Sequence, residues 1–303
     1  MERYYKLSTY LKDLFGERVY KIALDGGFTC PNRDGTVSTG GCIFCNGKGS
    51  GEHTRVGSIK AQVQEGIQVA KDGNKGNKYI AYFQSFTSTY APIEVLKNRY
   101  REALLDDTVV GLAIATRPDC VSEEVADLIK EVAKDKLMWV ELGLQTQNEN
   151  TAKAINRGYG NEVYEKAVRI LKERSIKVVT HLIVGLPNEK KEDFLESVRY
   201  VVKVGVDGLK LHSLYVEEGT KLSKLYKSGN YSPISREEYV QAVCEAISII
   251  PPYVVIHRLT GDGEKTKLLA PLWTKEKKKN LNAITKYLKD NDIVQGCSYK
   301  KSN

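Results

Sequence analysis

From residue 18 to about residue 258, short apolar runs alternate with longer stretches whose apolar residues recur every three or four positions. The short runs predict strands at 19–24, 78–83, 109–115, 138–142, 177–184, 208–214 and 254–258. The periodic stretches predict helices at 58–70, 92–105, 122–133, 161–174, 189–204 and 235–249. In 161–174, for example, Val163, Ala167, Val168, Ile170 and Leu171 share one side. The helix at 235–249 opens on a capping box, Ser235 with Glu238. Several strands are apolar throughout rather than alternating, which is the pattern of a parallel sheet covered on both faces. Six or seven such βα units predict an α/β fold, a partial (β/α)6-type TIM-like barrel, with a doubly wound open sheet as the competing architecture.

Barrels of this kind bind ligands at the C-terminal strand ends. The unusual polar sequences fall there, at 84–90, 116–119, 145–147, 185–187 and 213–217. After residue 258 the pattern loosens. A glycine break at 261–263 and an apolar stop at 269–273 precede a basic helix over 274–290. The division expected is a core with an N-terminal helix, 1–258, and a basic C-terminal extension, 259–303, packed on that core.

Composition adds compartment and partner. No apolar run approaches the ~20 residues that span a bilayer. The charged, amphipathic N-terminus is unlike a secretory signal. The expectation is therefore a cytoplasmic protein with no membrane partner. Lysine and arginine exceed aspartate and glutamate, 46 against 38, a net +8. This excess suits a polyanionic partner, although the lysines are spread along the chain; they are densest at 71–78 and 275–279 and in the pair Lys300 and Lys301.

The six cysteines are unevenly placed. Cys30, Cys42 and Cys45 lie within sixteen residues, just after the first strand; Cys120, Cys244 and Cys297 are scattered and read as structural thiols. In a reducing compartment such a cluster points to metal or catalysis rather than disulfides. Three thiolates can hold three irons of a cubane cluster and leave the fourth open, since full protein ligation normally takes four cysteines. A structural zinc site is the alternative, with His53 as fourth ligand, and a redox dithiol at Cys42 and Cys45 is a third reading.

The segments CPNRDGT and GGCIFC, with Phe44 just before the last cysteine, resemble the radical S-adenosylmethionine (SAM) superfamily. The gap of eleven residues between the first two cysteines exceeds that superfamily's usual three and resembles its bacterial YhcC/YtqA-type branch. The likeness extends to YYKLSTYLKDLFG, AYFQSFTSTYAP, LAIATRPDC, ELGLQTQNENTAKAINRG, HLIVGLPNE and LKLHSLYVEEGT.

The resemblance implies a radical SAM fold and a [4Fe–4S] cluster on Cys30, Cys42 and Cys45, with SAM chelating the open iron. One electron would cleave SAM to a 5′-deoxyadenosyl radical, which abstracts a hydrogen from substrate. A flavodoxin- or ferredoxin-type protein is the expected electron donor. SAM contacts are expected from Phe44, from Gln84, Ser85 and Thr87 at a strand end, and from Glu141. Gln145, Arg157 and His181 are expected to join them, by similarity to oxygen-independent coproporphyrinogen oxidases. Apart from the resemblance, Lys210, His212 and Tyr215 are expected to face substrate from their predicted position at the last main strand. The branch also implies a substrate: the wobble uridine of tRNA, with loss of the carboxymethyl group of 5-carboxymethylaminomethyluridine to give 5-aminomethyluridine. Tyr82, Tyr90, Tyr159 and Tyr215 would be placed to stack on a flipped base. A radical SAM enzyme acting on a small metabolite or peptide, and a non-catalytic iron–sulfur or zinc protein, are the other functional readings.

Overall fold

The computed structural model describes residues 2–47, 49, 54–55, 57–261 and 263–300. His53 and Lys301 lie outside the described residues. The chain opens with α1 (Leu7–Phe15) and β1 (Val19–Leu24), then, after the cysteine loop, α2 (Ile59–Asp72). Strand and helix then alternate: β2 (Lys78–Phe83), α3 (Ile93–Ala103), β3 (Val109–Thr116), α4 (Glu123–Val132) and β4 (Leu137–Gln145). Two helices follow, α5 (Glu149–Ala154) and α6 (Asn161–Glu173), then β5 (Lys177–Val184), α7 (Lys191–Val204) and β6 (Gly208–Ser213). The remainder is β7 (Val216–Glu217), α8 (Lys221–Lys227), α9 (Arg236–Ile249), β8 (Val255–Arg258), β9 (Leu268–Ala270) and α10 (Lys277–Asp290).

Seven strands form one parallel sheet in the order β1-β2-β3-β4-β5-β6-β8. Parallel neighbours require crossovers, and the helices supply them. The sheet curls into a half barrel. In a flat sheet β2 and β6 would lie about 19 Å apart, four strand spacings. Lys210 Nζ on β6 instead lies 3.0 Å from the Tyr82 hydroxyl on β2. The seven strands are those the apolar runs predict, and the sheet is open between β1 and β8. Helix α1 lies across that opening, packing Leu7 and Leu11 against Val255.

Strand alternation separates two layers. One set of positions, including Ile22, Ala81, Leu112, Val140, Leu182 and Leu211, joins the helices in the main apolar core. The other set faces the barrel interior: a small apolar group near the strand starts, with Ile80, Ala113 and Val179, then polar side chains toward the C-terminal ends. Serine and threonine side chains start four helices, Ser58, Ser122, Thr220 and Ser235 each accepting a first-turn backbone N–H. The box of Ser235 and Glu238 is present as expected. Beyond the sheet, β9 pairs antiparallel with β7, and Cys244 on α9 packs against α10 with its thiol 3.7 Å from the Ile284 carbonyl. Gln295 joins the termini, accepting from Tyr5 N and donating to the carbonyls of Pro251 and Val254. No helix among the described residues is long and apolar enough to cross a membrane.

Candidate active site

A cavity of about 240 Å³ occupies the C-terminal end of the half barrel. Its rim carries Cys30, Cys42 and Cys45 from the loop after β1, with Phe44 beside them. The other three cysteines do not line it. Burial, then the neighbouring sulfurs of Cys45 and Cys30, push the Cys42 thiol up to about 12. N–H donors face two of these sulfurs: Arg33 Nη1 lies 3.2 Å from Cys45 Sγ, and Asn32 Nδ2 lies 3.7 Å from Cys42 Sγ. Thiols converging from one loop, supplied with N–H donors, fit an iron–sulfur cluster, whose iron offsets thiolate charge. Among the described residues no three His, Cys, Asp or Glu groups gather closely enough for a single metal ion.

Below the rim, inward positions of the strands build a polar floor around Glu141. Its Oε2 accepts hydrogen bonds from the Tyr82 hydroxyl at 2.7 Å, from His181 Nε2 at 2.9 Å and from Lys210. Its Oε1 accepts from Trp139 Nε1 at 2.9 Å. Burial alone would raise this carboxyl, but Lys210, His181 and Lys21 outweigh it and hold Glu141 well below the usual carboxylate range. Burial, with the Lys210 ammonium beside it, lowers His181 to about 4, so this imidazole is neutral and donates from Nε2. His212 is also held neutral by burial and by His181, whose ring centroid is 5.2 Å away. His212 Nε2 is buried with no hydrogen-bond partner among the described residues. Glu141 and Lys210, expected to touch SAM and substrate, are thus first of all partners of one another.

The remaining expected residues divide. Gln84, Thr87, Gln145 and Tyr215 line the cavity. Ser85 does not line it; its hydroxyl, like that of Thr87, is buried without a partner among the described residues. The turn at the end of β2 is tied to the cysteine loop by Thr87 N donating to the Thr29 carbonyl at 3.1 Å. Left-handed backbone at Phe86 (φ 55°) and Gln145 (φ 70°) costs energy in residues with a Cβ, and such strain gathers at functional sites.

Arg157, an expected SAM contact, is engaged by the protein itself. It lines the cavity, yet all five of its N–H donors are engaged. They reach the carbonyls of Tyr159, Leu144 and Thr146 and the side chains of Glu149 and Asn161. Through these bonds it clamps the connection between β4 and α6. Tyr90 stands apart from the cavity. It sits in a separate outer groove, its hydroxyl 2.8 Å from Thr36 Oγ1, whereas Tyr82, Tyr159 and Tyr215 line the cavity.

The sequence reading missed Arg117, although it falls in the strand-end segment 116–119. Arg117 binds Asp119 through Nε and Nη2 and the Arg157 carbonyl through Nη1, leaving two N–H donors at the cavity. Asn46 and Glu217 were also missed; their side chains hydrogen-bond across the rim, joining the cysteine loop to β7. Arg33, Arg117, Arg157, Lys210 and Arg258 line the cavity against Glu141 and Glu217, so its charge is positive.

Residues 33–201 match the radical SAM superfamily, and residues 206–290 match the radical SAM C-terminal domain. The chain belongs to the radical SAM superfamily and is an enzyme of that type, which implies a [4Fe–4S] cluster and SAM. Within it, the chain is 42% identical to the uncharacterized protein YtqA of Bacillus subtilis, over 99% of this chain and 94% of that one. It is 39% identical to protein YhcC of Escherichia coli, over 92% and 90% respectively, which places it in the YhcC/YtqA branch. It shares 31% identity with a tRNA uridine(34) acetyltransferase of Methanocaldococcus jannaschii, over 62% of this chain and 34% of that protein. The structure of an N-terminally truncated Elp3 from Methanocaldococcus infernus has the same fold, with TM-score 0.71 and 20% identity over 92% of this chain and 64% of that one.

Proposed function

We propose that this chain removes the carboxymethyl group of 5-carboxymethylaminomethyluridine at the tRNA wobble position, leaving 5-aminomethyluridine. In this reading Cys30, Cys42 and Cys45 hold the [4Fe–4S] cluster and SAM binds beside it. The observation that carries it is the single cavity with three thiols at its rim and a charged, hydrogen-bonded floor. When bound, cluster and SAM would supply a 5′-deoxyadenosyl radical; loss of one hydrogen atom to it and of one electron back to the cluster would turn the methylene between nitrogen and carboxylate into an imine carbon, and water would then break the C–N bond, releasing glyoxylate and leaving the 5-aminomethyl group.

The chain's own residues bind and orient. Phe44 packs against the adenine. Gln84 and Thr87, backed by Ser85, receive the SAM amino group, and Gln145 lies across from them. Arg117, with two uncommitted N–H donors, takes the carboxylate expected of Arg157, which holds the neighbouring backbone in place. His181 contacts the ribose as a neutral imidazole. Glu141 fixes His181 and Lys210 so that His212, Lys210 and Tyr215 meet the substrate, and His212 Nε2 offers it an unspent hydrogen-bonding atom. A positive cavity suits a carboxylate on a phosphate-bearing substrate. The relative named as a tRNA uridine(34) acetyltransferase supports the wobble position. The core 1–258 carries this chemistry, and the basic extension 259–303 adds positive surface for tRNA. A flavodoxin- or ferredoxin-type donor supplies the electron.

The test is anaerobic. Protein loaded with iron and sulfide is reduced with dithionite and given SAM, with and without tRNA containing the carboxymethylaminomethyl base. Formation of 5′-deoxyadenosine that rises with tRNA, with 5-aminomethyluridine appearing by mass spectrometry, is the expected result. Formation indifferent to tRNA would overturn the substrate. None from protein carrying four irons would overturn the reaction.

A further inference from the structure

The eleven-residue insert between Cys30 and Cys42 folds back on itself. The Cys30 carbonyl accepts from Arg33 N at 2.8 Å and Asp34 N at 3.2 Å, closing a turn. Asp34 and Thr39 then bridge antiparallel, and Gly41 N donates to the Asn32 carbonyl at 2.8 Å. This brings the two residues after Pro31 beneath the two later cysteines. Arg33 Nη1 lies 3.2 Å from Cys45 Sγ and donates to the Asn46 carbonyl at 2.6 Å. Asn32, fully buried, places Nδ2 3.7 Å from Cys42 Sγ and donates to the Asn156 carbonyl at 2.6 Å.

The Arg33 side chain is held along its length. Gly41 has φ +73°, and a Cβ there would lie 3.2 Å from Arg33 Cγ, so glycine makes the passage for the arginine stem. The Phe86 ring sits 5.6 Å from the guanidinium. The insert therefore carries a cation and a neutral amide to separate sulfurs, which is more than spacing the thiols requires.

We propose that Arg33 and Asn32 are positioning residues that raise the reduction potential of the cluster on Cys30, Cys42 and Cys45, easing entry of its single electron. The proposal rests on the cluster assignment above. One electron passes from a flavodoxin- or ferredoxin-type protein, or from dithionite, to the cluster, and no bond is made or broken. The reduced cluster is one charge more negative, and that charge is shared with the cysteine sulfurs. N–H groups and a cation at those sulfurs stabilise the reduced form more than the oxidised one; hydrogen bonds to sulfur and net charge are recognised controls of cluster potential. Arg33, charged and closer, contributes more than Asn32.

The experiment is a potentiometric titration followed by EPR on anaerobically loaded full chain, without SAM or tRNA, after iron and sulfide have been counted. In Arg33→Met the ratio of reduced to oxidised cluster at a fixed ambient potential is expected to fall about tenfold, a downward shift of about 59 mV for a one-electron couple. Asn32→Ala is expected to fall about threefold, and Arg33→Lys to lie between Arg33→Met and the parent. Lys221→Met is the charge control. Its ammonium lies beside the insert, at 3.5 Å from the Thr39 carbonyl, and touches no sulfur. Parent potential in fully loaded Arg33→Met, or an equal shift in Lys221→Met, would overturn the proposal. Failure of every Arg33 and Asn32 variant to load would overturn it too, assigning the pair to loop folding. A parent chain that takes up no cluster, or one unaffected by replacing the three cysteines, would overturn the underlying assignment instead.

Discussion

Replacing Lys210 by methionine isolates the charge at the floor of the barrel. The lysine and Glu141 side chains are 3% and 0% exposed, and the ammonium also lies 3.0 Å from the Tyr82 hydroxyl. Methionine keeps most of the volume but strands an ionised carboxylate with only neutral donors in direct contact: Tyr82, Trp139 and His181. Breaking one side of such a buried pair costs about 3–5 kcal/mol. Adding Glu141→Gln removes the stranded charge while the amide still fills the site, so the double variant should regain at least about 2 kcal/mol. A double-mutant cycle read by guanidinium unfolding and far-UV circular dichroism should therefore give a coupling energy of at least about 2 kcal/mol. A loss under about 1 kcal/mol in Lys210→Met, or additive single effects, would refute the claim that this pair organises the floor.

Three further outcomes are expected. His181 stays neutral down to about 4, while an unfolded histidine titrates at 6.5, so between those values only the unfolded chain takes up the proton. His181 should contribute about 3 kcal/mol of the stability lost as pH drops through that window, at about 1.4 kcal/mol per pKa unit, beside a loss in the same direction from His212 and His257; His181→Gln, which keeps a donor for Glu141 but cannot titrate, should make the slope shallower, and unchanged slopes would count against it. Arg117→Gln should weaken SAM binding tenfold or more by anaerobic calorimetry. Arg157→Leu, which deprives buried carbonyls of donors, should instead cost about 3 kcal/mol or more of stability, and the reverse ranking would return the carboxylate role to Arg157. Ser235→Ala should cost about 1 kcal/mol and speed hydrogen exchange in the first turn of α9, an effect that unaltered exchange there would rule out.

The seven strands were legible because their apolar runs are continuous and the sheet is covered on both faces. The short elements were not: α5 has six residues and α8 seven, too few to show a helical period, and the β7–β9 ribbon pairs only two or three residues per strand. The gathering of Cys30, Cys42 and Cys45 in one loop could be read from spacing, whereas the choice among cluster, zinc and dithiol came from the family resemblance. The role of Arg117 could not be read from spacing, because its partner is the Arg157 carbonyl forty positions on. Asn46 and Glu217 meet across 171 residues, a distance no local pattern encodes. The engagement of Arg157 was illegible for a related reason: a motif identifies a residue type at a position but does not say whether its donors are already occupied.

The split between the two faces of the curled sheet bears on how the chain finds its register. Moving a strand by one residue exchanges its faces. In β6 such a slip would drive Lys210 and His212 into the helix-facing layer and turn Leu209 and Leu211 toward the thiols; in β4 it would do the same to Trp139 and Glu141. Each misregistered strand would bury charge among aliphatic side chains and also erase part of the cavity. Pairing errors therefore carry two separate penalties, and the polar interior acts as a proofreading device during folding as well as a reaction chamber afterwards.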